Sequence, residues 1–455
     1  MIDFTLKTEL YNHQKEAVAK QMSSRVGALF MDMGTGKTRT AIELVYQRRK
    51  RISKVVWFCP VSLKRTICEE LEKHSKGLKI KVDGDNQRGK FDWYVIGIES
   101  MAQSPKSILF AIKIIDRDSY VIIDESSFIK NAFAKRTQNI TRLSQDCRYR
   151  LILNGTPISN GIQDMYSQSK FLSPKILGYN SFYSFANNHL VYDEKNPRII
   201  RRTLDEDYIA ECMKPYVYQV KKSECVDLPE KVYKKRYFSM TSNQCEQYEL
   251  AKCELLQQYS DDMGSYYILH LFTVLQQISC GFVMNENVAV GLNHKRLDVL
   301  EEIIDEIPED EKVIIWCKYK KDIENISGTL KGVSIYDGSL SSADRDEQLE
   351  KFKGDNRFLL GTQSCAGFGL NLAFCHNVVF YDNDFKYSNR IQAEDRCHRI
   401  GQKNSVVYYD IVCDNGIEER IMNALSNKKS ILKAFESEIE NVKDFKKLKK
   451  LLEAL

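Results

Sequence analysis

An apolar run that feeds straight into a glycine turn and a lysine restricts this chain more than any other feature. In LFMDMGTGKTRTAIEL, residues 29–44, Leu29 to Met31 lead into Gly34-Thr35-Gly36, then Lys37-Thr38 and a helix-compatible stretch. Glycines let successive backbone N–H groups converge on phosphate oxygens. A lysine at this place reaches the terminal phosphates, the Thr38 hydroxyl can ligate Mg2+, and the helix N-terminus adds a favourable dipole. The first glycine of the strict pattern is missing, since Met31 stands there. Taken alone, the same residues also fit a tight turn that binds nothing.

The chain has 455 residues, more than one core usually holds, so two domains are expected. No apolar run approaches the ~20 residues that span a bilayer, and the polar N-terminus does not resemble a signal peptide. The expected location is the cytoplasm of a bacterial or virus-infected cell, or the nucleus of a eukaryotic one, with no membrane partner. Thirteen cysteines, none spaced as CxxC, read as reduced and mostly buried thiols, and no zinc site is discernible. Of seven histidines, His398, close to two arginines, is the one read as functional, while His13 reads as a local packing or capping residue. With 67 basic against 62 acidic residues, the net charge of +5 is too mild to establish nucleic-acid binding, which must come from local patches.

From Arg25 to Asn154 short apolar runs alternate with helix-compatible stretches: VGALFM, KVVWFC, WYVIGI, YVIIDE and RLILNG. This rhythm reads as a parallel sheet with crossover helices. It restarts between Glu311 and Cys413 with EKVIIWC, GVSIYD, RFLLGT, NVVFYD and SVVYYDIV. Between the two sets, Gly161 to about Ile307 is poor in strand-like runs and reads as mainly helical. Pro229 marks the best linker, from Lys221 to Lys231. The tail DFKKLKKLLEAL reads as an amphipathic bracing helix, with a DNA-contacting arm as the alternative.

Eighty-seven positions after Lys37, VIIDESSF places Asp124-Glu125 at the end of a strongly apolar strand. Carboxylates at a strand's C-terminal edge sit where α/β folds bind ligands. Asp124 there would hold Mg2+ through water, and Glu125 would orient and deprotonate an attacking water.

Together with LYNHQKEAV (10–18), DMGTGKT (32–38), CPVSLKRTICEEL (59–71), IIDESSFIKN (122–131) and LNGTPISN (153–160), the later segments VIIWCKY (313–319), YDGSLSSADRDEQLEKF (336–352), GTQSCAGFGLNLAFCHNVVFYD (361–382) and QAEDRCHRIGQ (392–402) occur in a recognisable order. The chain resembles helicases of superfamily two, and most closely their Swi/Snf (sucrose non-fermenting) branch of double-stranded DNA translocases. The likeness covers nearly the whole chain.

That resemblance implies an α/β architecture of two tandem RecA-like parallel-sheet lobes with a mainly helical insertion between them. Residues 1–225 would form lobe 1 and the start of the insertion. Residues 226–455 would hold the rest of the insertion, lobe 2 and C-terminal bracing helices. It further implies ATP and Mg2+ as ligands, with Gly34, Thr35, Gly36, Lys37 and Thr38 around the phosphates and Thr38 and Asp124 on the metal. Gln14 would read the adenine, with Tyr11 stacking nearby. Arg396 and Arg399 would be arginine fingers, read as two cations at i and i+3 on one helix face. Gly369 and Asn371 would line the same interface, and Gly155-Thr156 would couple nucleotide state to DNA. Gln392 would complete the site, a helix-surface role being the alternative.

Ser62, Lys64, Ser100, Lys318, Thr362 and Gln363 would follow a strand-tracking groove, gripping phosphates with little base specificity. Each also reads as an ordinary surface residue. Trp316 and Phe385 read as core. The chain departs from the family pattern at Ser127, where a histidine is usual, and at Asn154, Cys365-Ala366-Gly367 and Asp384-Phe385. The implied function is a double-stranded DNA translocase driven by ATP, a minimal monomeric motor of bacterial or viral type. The alternatives are a strand-separating DNA or RNA helicase and an inactive nucleic-acid-binding scaffold.

Overall fold

A computed structural model describes residues 2–86, 88–155, 161–192, 200–225, 228–258, 265–286, 288–366, 370–414 and 416–427. The chain divides into two compact units, Met1–Asp227 and Leu228–Leu455, with the boundary inside the stretch from Lys221 to Lys231. Among the described residues no helix is long and apolar enough to cross a membrane. The amphipathic tail lies outside them.

The first unit is built on seven strands: β1 (Val26–Met31), β2 (Lys54–Cys59), β3 (Ile80–Val82), β4 (Trp93–Gly97), β5 (Ser119–Ile123), β6 (Tyr149–Asn154) and β7 (Val217–Val220). They lie in the order β7-β1-β6-β5-β2-β4-β3 and every neighbouring pair is parallel. A parallel sheet covered on both faces has no solvent side to alternate toward, which is why its strands read as unbroken apolar runs. All five residues of β5 are buried. Helix α1 (Asn12–Met22) precedes β1, α2 (Lys37–Arg48) follows it, and α3 (Gln163–Leu172) comes after β6.

The second unit carries six parallel strands: β8 (Lys231–Phe238), β9 (Val313–Cys317), β10 (Val333–Tyr336), β11 (Phe358–Thr362), β12 (Asn377–Phe380) and β13 (Val406–Cys413). Their order is β8-β13-β12-β9-β11-β10. The helices that matter below are α4 (Ser265–Ser279), α5 (Arg296–Asp305), α6 (Tyr387–Glu394) and α7 (Gly416–Ser426). All ten apolar runs named from sequence are strands of these two sheets, so the fold is α/β with a large parallel sheet in each lobe.

The segment from Gly161 to Ile307 corrects the sequence reading in detail. It does hold helices, but it also gives each sheet an edge strand. β7 pairs with β1 from Val217–Ala28 to Val220–Met31, and β8 pairs with β13 along all eight of its residues. Edge strands need only one half-buried face and tolerate charge on the other. KVYKKRYF accordingly alternates in exposure and looks polar in sequence. Its helices are also not one inserted layer. Phe171, Phe185, Ile209 and Met213 join the first unit's core, whereas Leu271, Phe272 and Leu275 pack with Ile417 and Ile421 in the second.

A buried ion pair between Arg296 and Glu418 helps to fasten the second unit. Arg296 of α5 is wholly buried and donates to Glu418 of α7 and to the carbonyls of Tyr381 and Ile411, while Glu418 also accepts from Cys413 N at 2.7 Å. Removing one member leaves a buried charge without its counter-ion. Glu418→Ala should therefore destabilise the second unit by about 3–5 kcal/mol, seen as a lower urea midpoint of that unit's unfolding transition.

Candidate nucleotide site

The glycine turn leaves β1 and enters α2 through two left-handed residues, Gly34 (φ 79°) and Gly36 (φ 84°). The left-handed backbone favours glycine at 36, and a Cβ there would lie 2.1 Å from Gln14 Nε2 and push that amide aside. The turn is held from behind by α1. His13 Nε2 donates to the Thr35 carbonyl at 2.8 Å, and Gln14 Nε2 donates to the same oxygen at 3.1 Å. Thr35 Oγ1 donates to the Asp32 carbonyl at 2.7 Å. Lys37 folds its ammonium over the turn, donating to the carbonyls of Met31 (2.9 Å) and Asp32 (3.2 Å).

Gln14 is buried, and its Oε1 accepts from Tyr11 N at 3.1 Å, so both ends of its amide are engaged in bracing the turn. Reading an adenine edge would require releasing one of them. Beside the turn lies a cavity of about 780 Å³ lined by Tyr11, His13, Glu16, Tyr218 and Val220. Tyr11 is exposed and its ring is nearly parallel to that of His13, 6.0 Å between centroids and 6° between planes. A flat aromatic surface at a cavity mouth suits a planar base.

Asp124 follows β5, its N–H donating to the Phe58 carbonyl at 2.8 Å. Burial first, and then the neighbouring Glu125 charge, push its carboxyl up to about 7 against the opposing Lys37 charge. Glu125 is a non-glycine residue at φ 52°, a left-handed conformation that costs on the order of 1 kcal/mol. The turn it makes is fixed by a buried relay. Ser126 Oγ donates to Gln168 Oε1 of α3 at 2.5 Å and accepts from Asn154 Nδ2, at the end of β6, at 3.3 Å. Ser126, rather than the divergent Ser127, thus joins the carboxylate turn to the end of β6. Gly155 stands next, where a Cβ would come 3.7 Å from Lys37 Nζ. Thr156 lies outside the described residues.

Two of the groove residues expected in this unit meet around Gly97. A Cβ there would fall 2.9 Å from Ser100 Oγ and 3.2 Å from Lys64 Cε. Lys64 Nζ donates to the Asp83 carbonyl at 3.0 Å, and Ser62 sits half-buried in the preceding turn.

In the second unit α6 ends at Glu394, so Arg396 and Arg399 lie in tight turns beyond it and do not share a helix face. The reason is tertiary. The Arg396 carbonyl accepts from Leu372 N at 3.0 Å, which takes it out of the helical ladder, and Gly401 turns the chain at φ 104°. Arg396 is buried, and Arg399 donates to the Leu370 carbonyl at 3.2 Å. Gln392 is half-buried on α6, and Asn371 is exposed in the loop before β12. Gly369 lies outside the described residues. His398 Nε2 donates to the Pro229 carbonyl at 2.8 Å, tying this turn to the start of the unit.

Three expected groove contacts of this unit are interior residues. Lys318 puts its ammonium 3.0 Å from the Phe385 ring centroid and donates to Gln276 Oε1 at 2.6 Å. Burial lowers it to about 8 against the raising effect of Asp384 and Asp382. Gln363 is buried, donating to the Asp382 carbonyl at 2.6 Å and accepting from Asp384 N at 3.3 Å. Thr362 is buried at the end of β11. Lys318 and Gln363 thus spend their polar groups on protein partners. Trp316 and Phe385 are both buried, in keeping with a core role.

Sequence reasoning missed the residues that hold the site. His13 was readable only as a capping residue, and Gln168 carries no motif. Arg390 and Glu394 anchor the helix leading to the two arginines. Arg390 donates to Glu394 Oε1 (2.8 Å), Asn383 Oδ1 (2.9 Å) and the Asp410 carboxylate, while Glu394 Oε2 also accepts from Lys231 Nζ (2.9 Å) and Tyr233 OH (2.8 Å). Their i,i+4 spacing was the one available signal.

Residues 13–282 match the SNF2-related domain family and residues 295–401 the helicase conserved C-terminal domain. The chain is 27% identical, over 96% of its length, to an uncharacterized ATP-dependent helicase of Mycoplasma genitalium, covering 43% of that protein. It is 25% identical, over 96% of its length, to a probable global transactivator of Orgyia pseudotsugata multicapsid polyhedrosis virus, covering 94% of it. The solved Sulfolobus solfataricus SWI2/SNF2 ATPase core in complex with dsDNA aligns over 100% of this chain and 99% of that one, with 24% identity and a TM-score of 0.46. The chain spans less than half the length of the Mycoplasma relatives it matches, 43% in each case.

The geometry of the turn gives a direct test. Gly36→Ala should weaken ATP binding by about tenfold or more, since a left-handed alanine alone costs roughly 1–2 kcal/mol and the Gln14 contact adds to it. Adding Gln14→Ala should recover only the part due to the clash, read by titration with a fluorescent ATP analogue.

Proposed function

The chain belongs to the SNF2-related family, and on that premise we propose that it is a DNA-dependent ATPase that couples hydrolysis to movement along duplex DNA, displacing what is bound there. The observation that carries this reading is the convergence, at one edge of the first sheet, of the turn Gly34–Thr38, the Asp124–Glu125 pair and the cavity beside Tyr11. The buried carboxylate of Asp124, with the half-buried Glu125 beside it, also fits a divalent cation, whose charge would offset the cost of burying Asp124 ionised.

Thr38 and Asp124 would hold Mg2+, which when bound neutralises charge on the phosphate oxygens. Lys37 exchanges its two carbonyl partners for the terminal phosphates. Glu125 orients a water and takes its proton as the water oxygen bonds the γ-phosphorus. The bond from that phosphorus to the β,γ-bridging oxygen then breaks, leaving ADP and phosphate. Arg396 and Arg399 act as arginine fingers, meeting charge on the transferred group, with Gln392 and Asn371 beside them. Tyr11 stacks on the base. Ser62, Lys64 and Ser100 grip DNA phosphates, and Gly155, next to the Ser126–Asn154 hydrogen bond, couples nucleotide state to DNA.

Lys37→Ala and Glu125→Gln should each abolish turnover while duplex binding persists, and Arg399→Ala should lower turnover on the order of 10^3-fold. ATP hydrolysis measured with double-stranded DNA, single-stranded DNA and RNA at fixed salt tests the substrate, and equal stimulation by RNA or no stimulation at all would defeat the proposal. Triplex displacement without unwinding of a forked duplex is the result expected of a translocase.

A further inference from the structure

The parallel sheet of the first unit has a second edge, where β1, β5 and β6 begin. There, about 20 Å from the glycine turn if six residues of β1 each advance roughly 3.3 Å, lies a cavity of about 860 Å³. Seven basic residues line it against one carboxylate, that of Asp146. In a chain whose charges nearly balance overall, that is a strong local excess.

The basic groups are not equivalent. Arg48 is buried and bonded through both terminal nitrogens. It donates to the carbonyls of Gln21 and Ser24, both at 2.6 Å, and to Tyr120 OH at 2.9 Å, with its guanidinium 4.7 Å from the Tyr149 ring centroid. Arg150 braces the wall through the Ser144 carbonyl at 3.0 Å, and Arg148 pairs with Asp118 at 3.2 Å. Arg25, Lys50, Arg51 and Arg117 are exposed around the rim, and their side chains make no ion pair among the described residues. A wall of cations braced by protein carbonyls and a carboxylate, surrounded by exposed ones, gathers phosphates without reading bases.

We propose that this cavity seats a second stretch of the DNA phosphate backbone, on the edge of the first unit opposite the nucleotide turn and away from Ser62, Lys64 and Ser100. The inference rests on the duplex-DNA reading above and extends it. Four rim cations spaced over three separate loops suit a long polyanion better than one compact phosphate. The consequence is a larger DNA footprint and a steeper salt dependence than the tracking groove alone provides.

The test uses the full chain and a triple variant, Arg25→Glu, Arg51→Glu and Arg117→Glu, with binding of 15- and 40-base-pair duplexes followed by fluorescence anisotropy over a range of salt. The variant should bind the longer duplex about tenfold or more weakly, with a log–log salt slope shallower by roughly two to three. Its ATP KM and its turnover at saturating DNA should stay within about twofold of the parent. The corresponding triple glutamine variant, with a gentler change at the surface, should show a smaller loss in the same direction. Parental affinity and parental salt slope in both variants would overturn the second seat. So would binding of inorganic triphosphate to the parent but not the variants at unchanged DNA affinity, which would make this a site for small phosphorylated compounds. Failure of any DNA to stimulate ATP hydrolysis by the parent would count against the proposed function, a readout independent of the affinity difference between parent and variants.

Discussion

Parallel strand pairing is the constraint from which the rest of the first unit follows. When every strand points the same way, all strand-to-helix connections open at one edge and all helix-to-strand connections return at the other. β1 delivers the glycine turn, β5 the carboxylate pair and β6 Asn154 and Gly155 to the same edge, although these residues are far apart in sequence. The opposite edge receives what helices end with. Basic residues favour helix C-termini, where they complement the dipole, and Arg48, Lys50 and Arg51 at the end of α2 are such a group. The chemical contrast between the two edges is thus built into the topology before any individual side chain is considered.

Within that frame the working groups are held by residues that do no chemistry. The Thr35 carbonyl, with two donors from α1, fixes the turn to the helix before it. The strained backbone of Glu125 persists because Ser126 is hydrogen-bonded into a buried relay. In the second unit Glu394 collects a lysine, an arginine and a tyrosine, and so anchors the helix that leads to Arg396 and Arg399. Each hub is buried and multiply bonded, so a single substitution there acts on the position of a functional group as well as on stability.

Much of this was legible in the letters. Ten apolar runs announced ten strands because strands covered on both faces cannot hide their hydrophobicity, and GTGKT and VIIDES announced what stands at their ends. The illegible parts share a cause. β7 and β8 escaped notice because an edge strand half-exposed to water can be written in lysine and tyrosine. The helix carrying QAEDRCHRIGQ looked continuous because its break comes from Leu372, twenty-four positions earlier, capturing a carbonyl. Lys318 and Gln363 looked like surface residues because polarity in sequence says nothing about whether partners such as Gln276 and Asp382 will come to meet them inside.

The edge position of β7 has a temporal meaning. The strand that carries the glycine turn gains its inner neighbour β6 at residue 154 but its outer neighbour only at residue 220. A ribosome must therefore make almost the whole first unit before the nucleotide strand is enclosed on both sides. The interval leaves an open, apolar ribbon for some sixty residues of synthesis, several seconds at about 5–20 residues per second. During that time the nascent chain depends on whatever shields exposed strands in the cell. The segment that ends the wait, just before the boundary between the units, acts as a clasp that finishes the first fold as the second begins to emerge.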